Sequence, residues 1–219
     1  ESIPLDDRKV MDLFLGTEPL DIKIDDYRQR HGTFGIPEFG TAFTRQMLDE
    51  TQPKKFSALV RISGFSHGTD VWRNNAEEFI KSGDATMDDA IATRDDIMNY
   101  LIAKDVPKAE AFQIMEKVRK GKGLTEEREA LMREHNVPEW YIESCKRIKY
   151  MFPKAHAAAY VMMSYRIAYF KVYYPPEFYA THFTTKIDFF NADVILAGMQ
   201  SVLDRMDAIK KMGRDASNK

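Results

Sequence analysis

The chain has 219 residues, enough for one large domain or two small ones, and its 44% apolar and 30% charged residues are ordinary for a globular protein with a real core. A net charge of -2 and an isoelectric point near 6.3 argue against a generic nucleic-acid-coating protein, which is usually basic. The single cysteine, Cys145, rules out an internal disulfide and fits a reducing cytosol; the richest apolar run, Ala155 to Tyr174, is broken by Ser164, Arg166 and Lys171 and does not read as a membrane span. The start, Glu1-Ser2-Ile3-Pro4, has no initiator Met and no signal-peptide pattern, so a piece of a longer chain is expected.

Taken in chain order, the pattern is nearly all helical. A first helix is expected from Asp6 or Asp7 through Val10, Met11, Leu13 and Phe14 to near Gly16, followed by a polar loop to about Gly35 with room for one short helix. Pro37 suits the first turn of a helix carrying Phe39, Phe43, Met47 and Leu48. Pro53 opens the next, with Phe56, Leu59, Val60 and Ile62 as its apolar stripe and Gly64 as its stop. A helix from Asp70 through Trp72 and Ile80 to Gly83 follows, then helices over Met87 to Leu101 and Lys108 to Val118. Short helices are expected after Thr125 and over Pro138 to Cys145. The longest begins near Pro153 or Ala155 and is stopped by Pro175-Pro176; two more cover Pro176 to Thr184 and Asp193 to Met212. No segment alternates with period two, so the fold class is mainly α, with little or no sheet.

Few residues are spaced for catalysis. None of His31, His67, His135, His156 and His182 pairs with a second ligand at a metal-binding spacing. Cys145, between Glu143 and Lys146 on an apparent helix, has no nucleophile signature and reads as structural. The pairs Asp6-Asp7, Asp25-Asp26, Asp88-Asp89 and Asp95-Asp96 are sequence neighbours, which diverge by about 100° on a helix and do not share a metal site. Capping of helix starts is their expected role.

Phosphate binding is the better prospect. The stretch Ile62 to Asp70 joins two helices with small residues and with Ser63, Ser66, His67 and Thr69 as donors. In the stretch Tyr150 to Tyr160, Lys154 and His156 fall at a helix start, where free backbone N–H groups and the helix dipole favour an anion, and Tyr150 offers a flat face to a base. The run Lys117-Val118-Arg119-Lys120-Gly121-Lys122-Gly123 is locally basic. Alone, each of the first two stretches reads more readily as a cap, a core aromatic or a surface loop, and the basic run reads equally as a solvated helix end.

Together they carry a resemblance. The segment Tyr150-Met151-Phe152-Pro153-Lys154-Ala155-His156-Ala157-Ala158-Ala159-Tyr160 resembles the fingers motif of bacterial C-family replicative DNA polymerases, with Pro153 and Ala155 in the manner of the PolC branch. Tyr165 to Lys171, Tyr174 to Phe178, Gly35 to Thr41, Arg61 to Trp72, Arg94 to Met98, Arg119 to Leu124 and Val137 to Tyr141 continue the likeness in family order over most of the chain.

The resemblance implies a multi-helix fingers domain at 36–190, a lead-in at 1–35 from the palm and thumb, and a C-terminal helix at 191–219 leading to a duplex-binding domain. It implies an enzyme part, a piece of a DNA-directed DNA polymerase (a nucleotidyltransferase) that positions the incoming deoxynucleoside triphosphate opposite the template base, in the bacterial cytoplasm at the replication fork. The palm aspartates that bind Mg2+ lie elsewhere, so the fragment is expected to bind no metal and to be inactive alone. The implied nucleotide-binding residues are Arg94, Tyr150, Lys154, His156, Ser63, Ser66 and His67; Lys117, Arg119, Lys120 and Lys122 are implied contacts to primer–template DNA. No catalytic residue is expected here, a sliding clamp would be reached only through other regions, and no membrane is involved. Two other readings stay open: a noncatalytic helical domain that tracks phosphate backbone, and a scaffold using Tyr165, Tyr169, Phe170 and Tyr173 as a protein-binding stripe.

Overall fold

The computed structural model describes residues 3–22 and 30–213. Among these residues there are twelve α-helices and no strand; the nearest approach to a sheet is one isolated antiparallel bridge, Thr69 to Tyr150. The helices are α1 Arg8–Asp12, α2 Ala42–Thr51, α3 Phe56–His67, α4 Glu77–Ser82, α5 Arg94–Ala103, α6 Lys108–Arg119, α7 Glu126–Glu134, α8 Glu139–Arg147, α9 Lys154–Tyr173, α10 Pro175–Thr185, α11 Ala192–Leu196 and α12 Met199–Met212. The mainly α expectation holds. The chain forms two compact units, Glu1–Val172 and Tyr173–Lys219.

In the first unit, α9 is the central element. Val161, Tyr165 and Ala168 on it are fully buried. Tyr165 stacks on Phe14 with centroids 6.1 Å apart, takes the edge of Phe56 at 5.8 Å, and donates its hydroxyl to the Asp7 carbonyl at 2.8 Å. Phe14 meets Phe39 edge-on at 5.1 Å. Fully burying each such side chain contributes roughly 1.5–3 kcal/mol. Tyr165 is therefore core, which breaks the scaffold stripe at its first member. Phe170 and Tyr173 are exposed.

Helices α5 and α6 pack on each other, and Tyr100 of α5 stacks on Tyr141 of α8 with centroids 4.1 Å apart. A buried polar pair ties α8 to the irregular turn before α4. Ser144 Oγ donates to Asn75 Oδ1 at 2.6 Å, and Asn75 Nδ2 donates to the carbonyls of Asp70 at 2.8 Å and Ser144 at 3.1 Å.

Several helix boundaries depart from expectation, each for a visible reason. Helix α2 starts at Ala42 rather than Pro37, because Glu38 adopts φ +68° and the Thr41 hydroxyl caps the Thr44 N–H at 3.2 Å. The helix opened near Pro53 begins at Phe56 and runs through Gly64 to His67. Gly64 is a contact glycine, not a stop: a Cβ there would lie 2.6 Å from the Ala92 carbonyl. The continuous helix expected from Asp70 to Ile80 is broken at Arg73, Asn74 and Asn75, where the Asn75 side chain bonds backbone in place of a helical ladder. Residues 87–93 are not helical. Arg61 donates to the carbonyls of Met87 (2.6 Å) and Ala90, and Asp96 accepts the N–H groups of Ala92 (3.2 Å) and Thr93 (2.9 Å). The Asp96 carboxylate is thereby the local cap for α5, and Asp7 caps α1 by accepting the Val10 N–H at 2.9 Å. The Asp25-Asp26 pair lies outside the described residues.

In the second unit, α10 begins at Pro175, and the helix expected from Asp193 to Met212 divides at Ala197 and Gly198 into α11 and α12. Phe183 stacks on Phe190 with centroids 4.5 Å apart, beside a cavity also lined by Val194, Val202 and Met206.

Candidate nucleotide and nucleic-acid site

Residues 148–153 connect α8 to α9 in extended form, and the predicted site residues gather around them. The Thr69 N–H donates to the Tyr150 carbonyl at 3.0 Å, and the Lys149 and Tyr150 N–H groups return to the Thr69 carbonyl at 3.1 and 3.4 Å. This pins the end of the Ser63–Thr69 stretch beside Tyr150. The Arg94 N–H donates to the Phe152 carbonyl at 3.2 Å, which fixes the first turn of α5 on the other side. The Met151 N–H donates to the Arg119 carbonyl at 3.2 Å and so attaches the basic run. Gly121, at φ +68°, lies so close to Lys149 that a Cβ would fall 2.4 Å from its carbonyl oxygen.

The aromatic rings form a row. His67 meets Phe152 edge-on at 5.7 Å, Tyr150 meets Phe152 edge-on at 5.2 Å, Phe152 stacks on His156 at 5.1 Å, and His156 packs against Tyr160 at 4.4 Å. Tyr150 and Tyr160 are exposed, at 45% and 42%, so the row ends in two open faces on which a flat ring can stack.

The start of α9 differs from expectation. Its first N–H is not free: Lys154 donates it to Asp95 Oδ2 at 2.6 Å, and Lys154 Nζ stands 3.4 Å from Asp96 Oδ1. That N–H is therefore not open to an anion. Among the described residues, the half-buried Arg94 guanidinium makes no ion pair or hydrogen bond. Arg94 is thus held by its backbone beside Phe152 while its charge is left available.

The basic run divides in two. Arg119 and Lys120 both engage Glu116, Arg119 through Nε and through Nη2 at 2.9 Å and Lys120 through Nζ at 2.9 Å. Their hydrogen bonds hold the Glu116 carboxyl down at about 2, and the bond to Glu116 raises the Arg119 guanidinium above its ordinary value. Lys117 and Lys122 have no acidic partner among the described residues, and neither has the exposed Lys149.

Ser63 is buried, and its carbonyl accepts from Ser66 Oγ at 3.0 Å and His67 Nδ1 at 2.7 Å. Of this set only Ser66 and His67 remain partly open. Sequence reasoning gave no role to Glu38, whose carboxylate contacts His67 Nε2, and read Asp95 as a cap of a helix start, which it is, though of α9 rather than of its own helix. Both lie in the recognised blocks, but their partners stand 29 and 59 residues away, a relationship that no local spacing reveals. Among the described residues no group of three or more His, Cys, Asp or Glu is placed to hold a metal ion.

A sequence profile for the bacterial DNA polymerase III alpha subunit finger domain matches residues 1–137. The chain is 59% identical over all 219 residues to a DNA polymerase III PolC-type of Clostridium perfringens, covering 15% of that protein. It is 56% identical to the PolC-type protein of Caldanaerobacter subterraneus subsp. tengcongensis over 99% of this chain and 16% of the relative. With that of Thermotoga petrophila it shares 55% over the whole chain and 16% of the relative. It thus spans about 15–16% of the length of these relatives. With its helical fold and this profile match, the chain belongs to the family of bacterial DNA polymerase III alpha subunit finger domains.

Proposed function

We propose that the chain receives the incoming deoxynucleoside triphosphate within a PolC-type DNA-directed DNA polymerase and sets it opposite the template base. The observation that carries this reading is Arg94: a partly buried guanidinium with no acidic partner among the described residues, anchored by its own N–H to Phe152 in the aromatic row. A guanidinium fork suits phosphate oxygens. Lys154 and His156 add donors from α9, and the open faces of Tyr150 and Tyr160 suit a base or sugar. The run from Lys117 to Lys122 borders this row and contacts primer–template backbone.

No chemical step is assigned to these residues. They bind, orient and neutralise charge, and the metal ions used in such a transfer are held by another part of the polymerase, so the chain alone is inactive. The 36–190 segment acts as the fingers body, between the palm and thumb side and the duplex-binding side. Its place is the replication fork in the bacterial cytoplasm, and any clamp contact is made by other regions.

The test is single-nucleotide incorporation by the intact parent polymerase carrying Arg94→Ala or Lys154→Ala, over a range of triphosphate concentrations. Loss of a charge-assisted phosphate contact lowers incorporation efficiency by about 10- to 150-fold, or roughly 1.5–3 kcal/mol, with primer–template affinity unchanged. A fall in DNA affinity alone would instead favour the reading of a domain that only tracks phosphate backbone.

A further inference from the structure

Glu38 sits on the turn between α1 and α2, far in sequence from the aromatic row. Its backbone adopts φ +68°, a region that a residue with a Cβ seldom occupies, and its side chain is largely buried at 18% exposure. That conformation aims the carboxylate at Nε2 of His67, the last residue of α3. On the other side of the ring, Nδ1 lies 2.7 Å from the Ser63 carbonyl, with Ser66 Oγ at 3.1 Å. The ring is held on both edges, and its plane meets Phe152 edge-on at 5.7 Å. Phe152 in turn carries the Arg94 N–H on its carbonyl and His156 on its ring face.

We infer that Glu38 is a positioning residue for the nucleotide site: it locks the His67 ring against Phe152 and thereby fixes the row on which Arg94 and His156 are set. This rests on the reading of that row as the triphosphate site. Glu38 touches neither Arg94 nor the open faces of Tyr150 and Tyr160; it acts through His67. A strained conformation kept where the side chain meets one partner is the pattern expected of a functional constraint. The Glu38→Gln substitution keeps the shape and removes the charge. His67→Asn keeps a donor in the place of Nδ1 and loses the reach to Glu38.

The experiment measures KM and kcat for single-nucleotide incorporation by the intact polymerase carrying Glu38→Gln, His67→Asn, the pair together, and Arg94→Ala alone. Each of the first two is expected to raise the triphosphate KM about 5- to 20-fold with kcat within about twofold. The double variant should match the worse single, because both act on one link. Multiplying effects in the double variant would overturn the inference. So would a wild-type KM in Glu38→Gln when Arg94→Ala raises it. A flat Arg94→Ala would instead overturn the nucleotide reading itself. Should Glu38→Gln fail to fold, Glu38→Asp, which keeps the charge and shortens the reach to His67, decides: a raised KM at constant kcat upholds the link, and an unchanged KM sinks it.

Discussion

The backbone N–H of Lys154 donates to the carboxylate of Asp95 at 2.6 Å, so the acid at the start of one helix caps the start of another 59 residues later. With the Arg94 N–H on the Phe152 carbonyl, this bond ties the first turn of α5 to the first turn of α9, with Arg94 on one and His156 on the other. An acid at a helix N-terminus also offsets the dipole there. Replacing Asp95 with Ala removes a cap without leaving a buried charge. Urea denaturation of the 219-residue chain is expected to show a loss of roughly 0.5–2 kcal/mol. A change below about 0.3 kcal/mol would mean that the N–H finds water as readily as Asp95.

Lys171 offers a pH prediction. Its side chain is 2% exposed, and its ammonium donates to the carbonyls of Gly32 at 2.7 Å and Phe34 at 2.6 Å. Burial pushes it down from an ordinary 10.5 to about 8. Between those values the unfolded chain holds a proton that the folded chain has released. Stability therefore rises as pH increases from about 8 toward 10.5 and gains nothing from this group below about 8. The gain is of order 1–3 kcal/mol, and Lys171→Met removes it. The same substitution leaves two carbonyls without that donor, at about 1–3 kcal/mol near neutral pH. Denaturation midpoints at pH 7 and pH 9.5 for both proteins test the two effects together.

Sequence and structure agree where the helix signal is local. Thr125 before α7, Pro138 before α8 and Pro175 at the start of α10 each mark a boundary within a residue or two. They fail where a distant side chain decides. Arg61 and Asp96 hold residues 87–93 out of a helix, and Asn75 does so for the turn before α4 because Ser144 of α8 completes its bonding. Gly64 reads as a stop because glycine ends helices, whereas here it admits the Ala92 carbonyl. The site follows the same division. The family blocks name Arg94, Tyr150, Lys154 and His67, and the fold brings these residues to one neighbourhood. Glu38 carries no role in the sequence, and Asp95 reads only as the cap of a local helix start, since their partners are ones that only the folded chain brings near.

Cys145 is fully buried in α8, and burial pushes its thiol far above the ordinary range. The thiolate is the reactive form, so the native chain should resist a disulfide exchange reagent for hours at pH 8 and react at once in denaturant. Prompt titration of the native chain would mean that α8 opens readily and that the Asn75–Ser144 link does not hold it.

The basic run invites a prediction about salt. Glu116 sits between Arg119 and Lys120, and those two cations hold its carboxyl at about 2, so the clamp is closed at every physiological pH. A phosphate that approaches either cation must compete with a carboxylate already in place. Lys117, Lys122 and Lys149 face no such competitor among the described residues. Each phosphate contact made by a free cation contributes about 0.7–0.9 to the slope of log K against log salt. In the intact polymerase, Lys122→Ala and Lys149→Ala should each lower that slope for primer–template DNA by about one contact, and Lys120→Ala by much less. Glu116→Gln should work in the opposite direction, releasing Arg119 and Lys120, steepening the slope and tightening binding at low salt. Equal losses for Lys120 and Lys122 would show that DNA displaces Glu116, and the run would then act as one undivided patch.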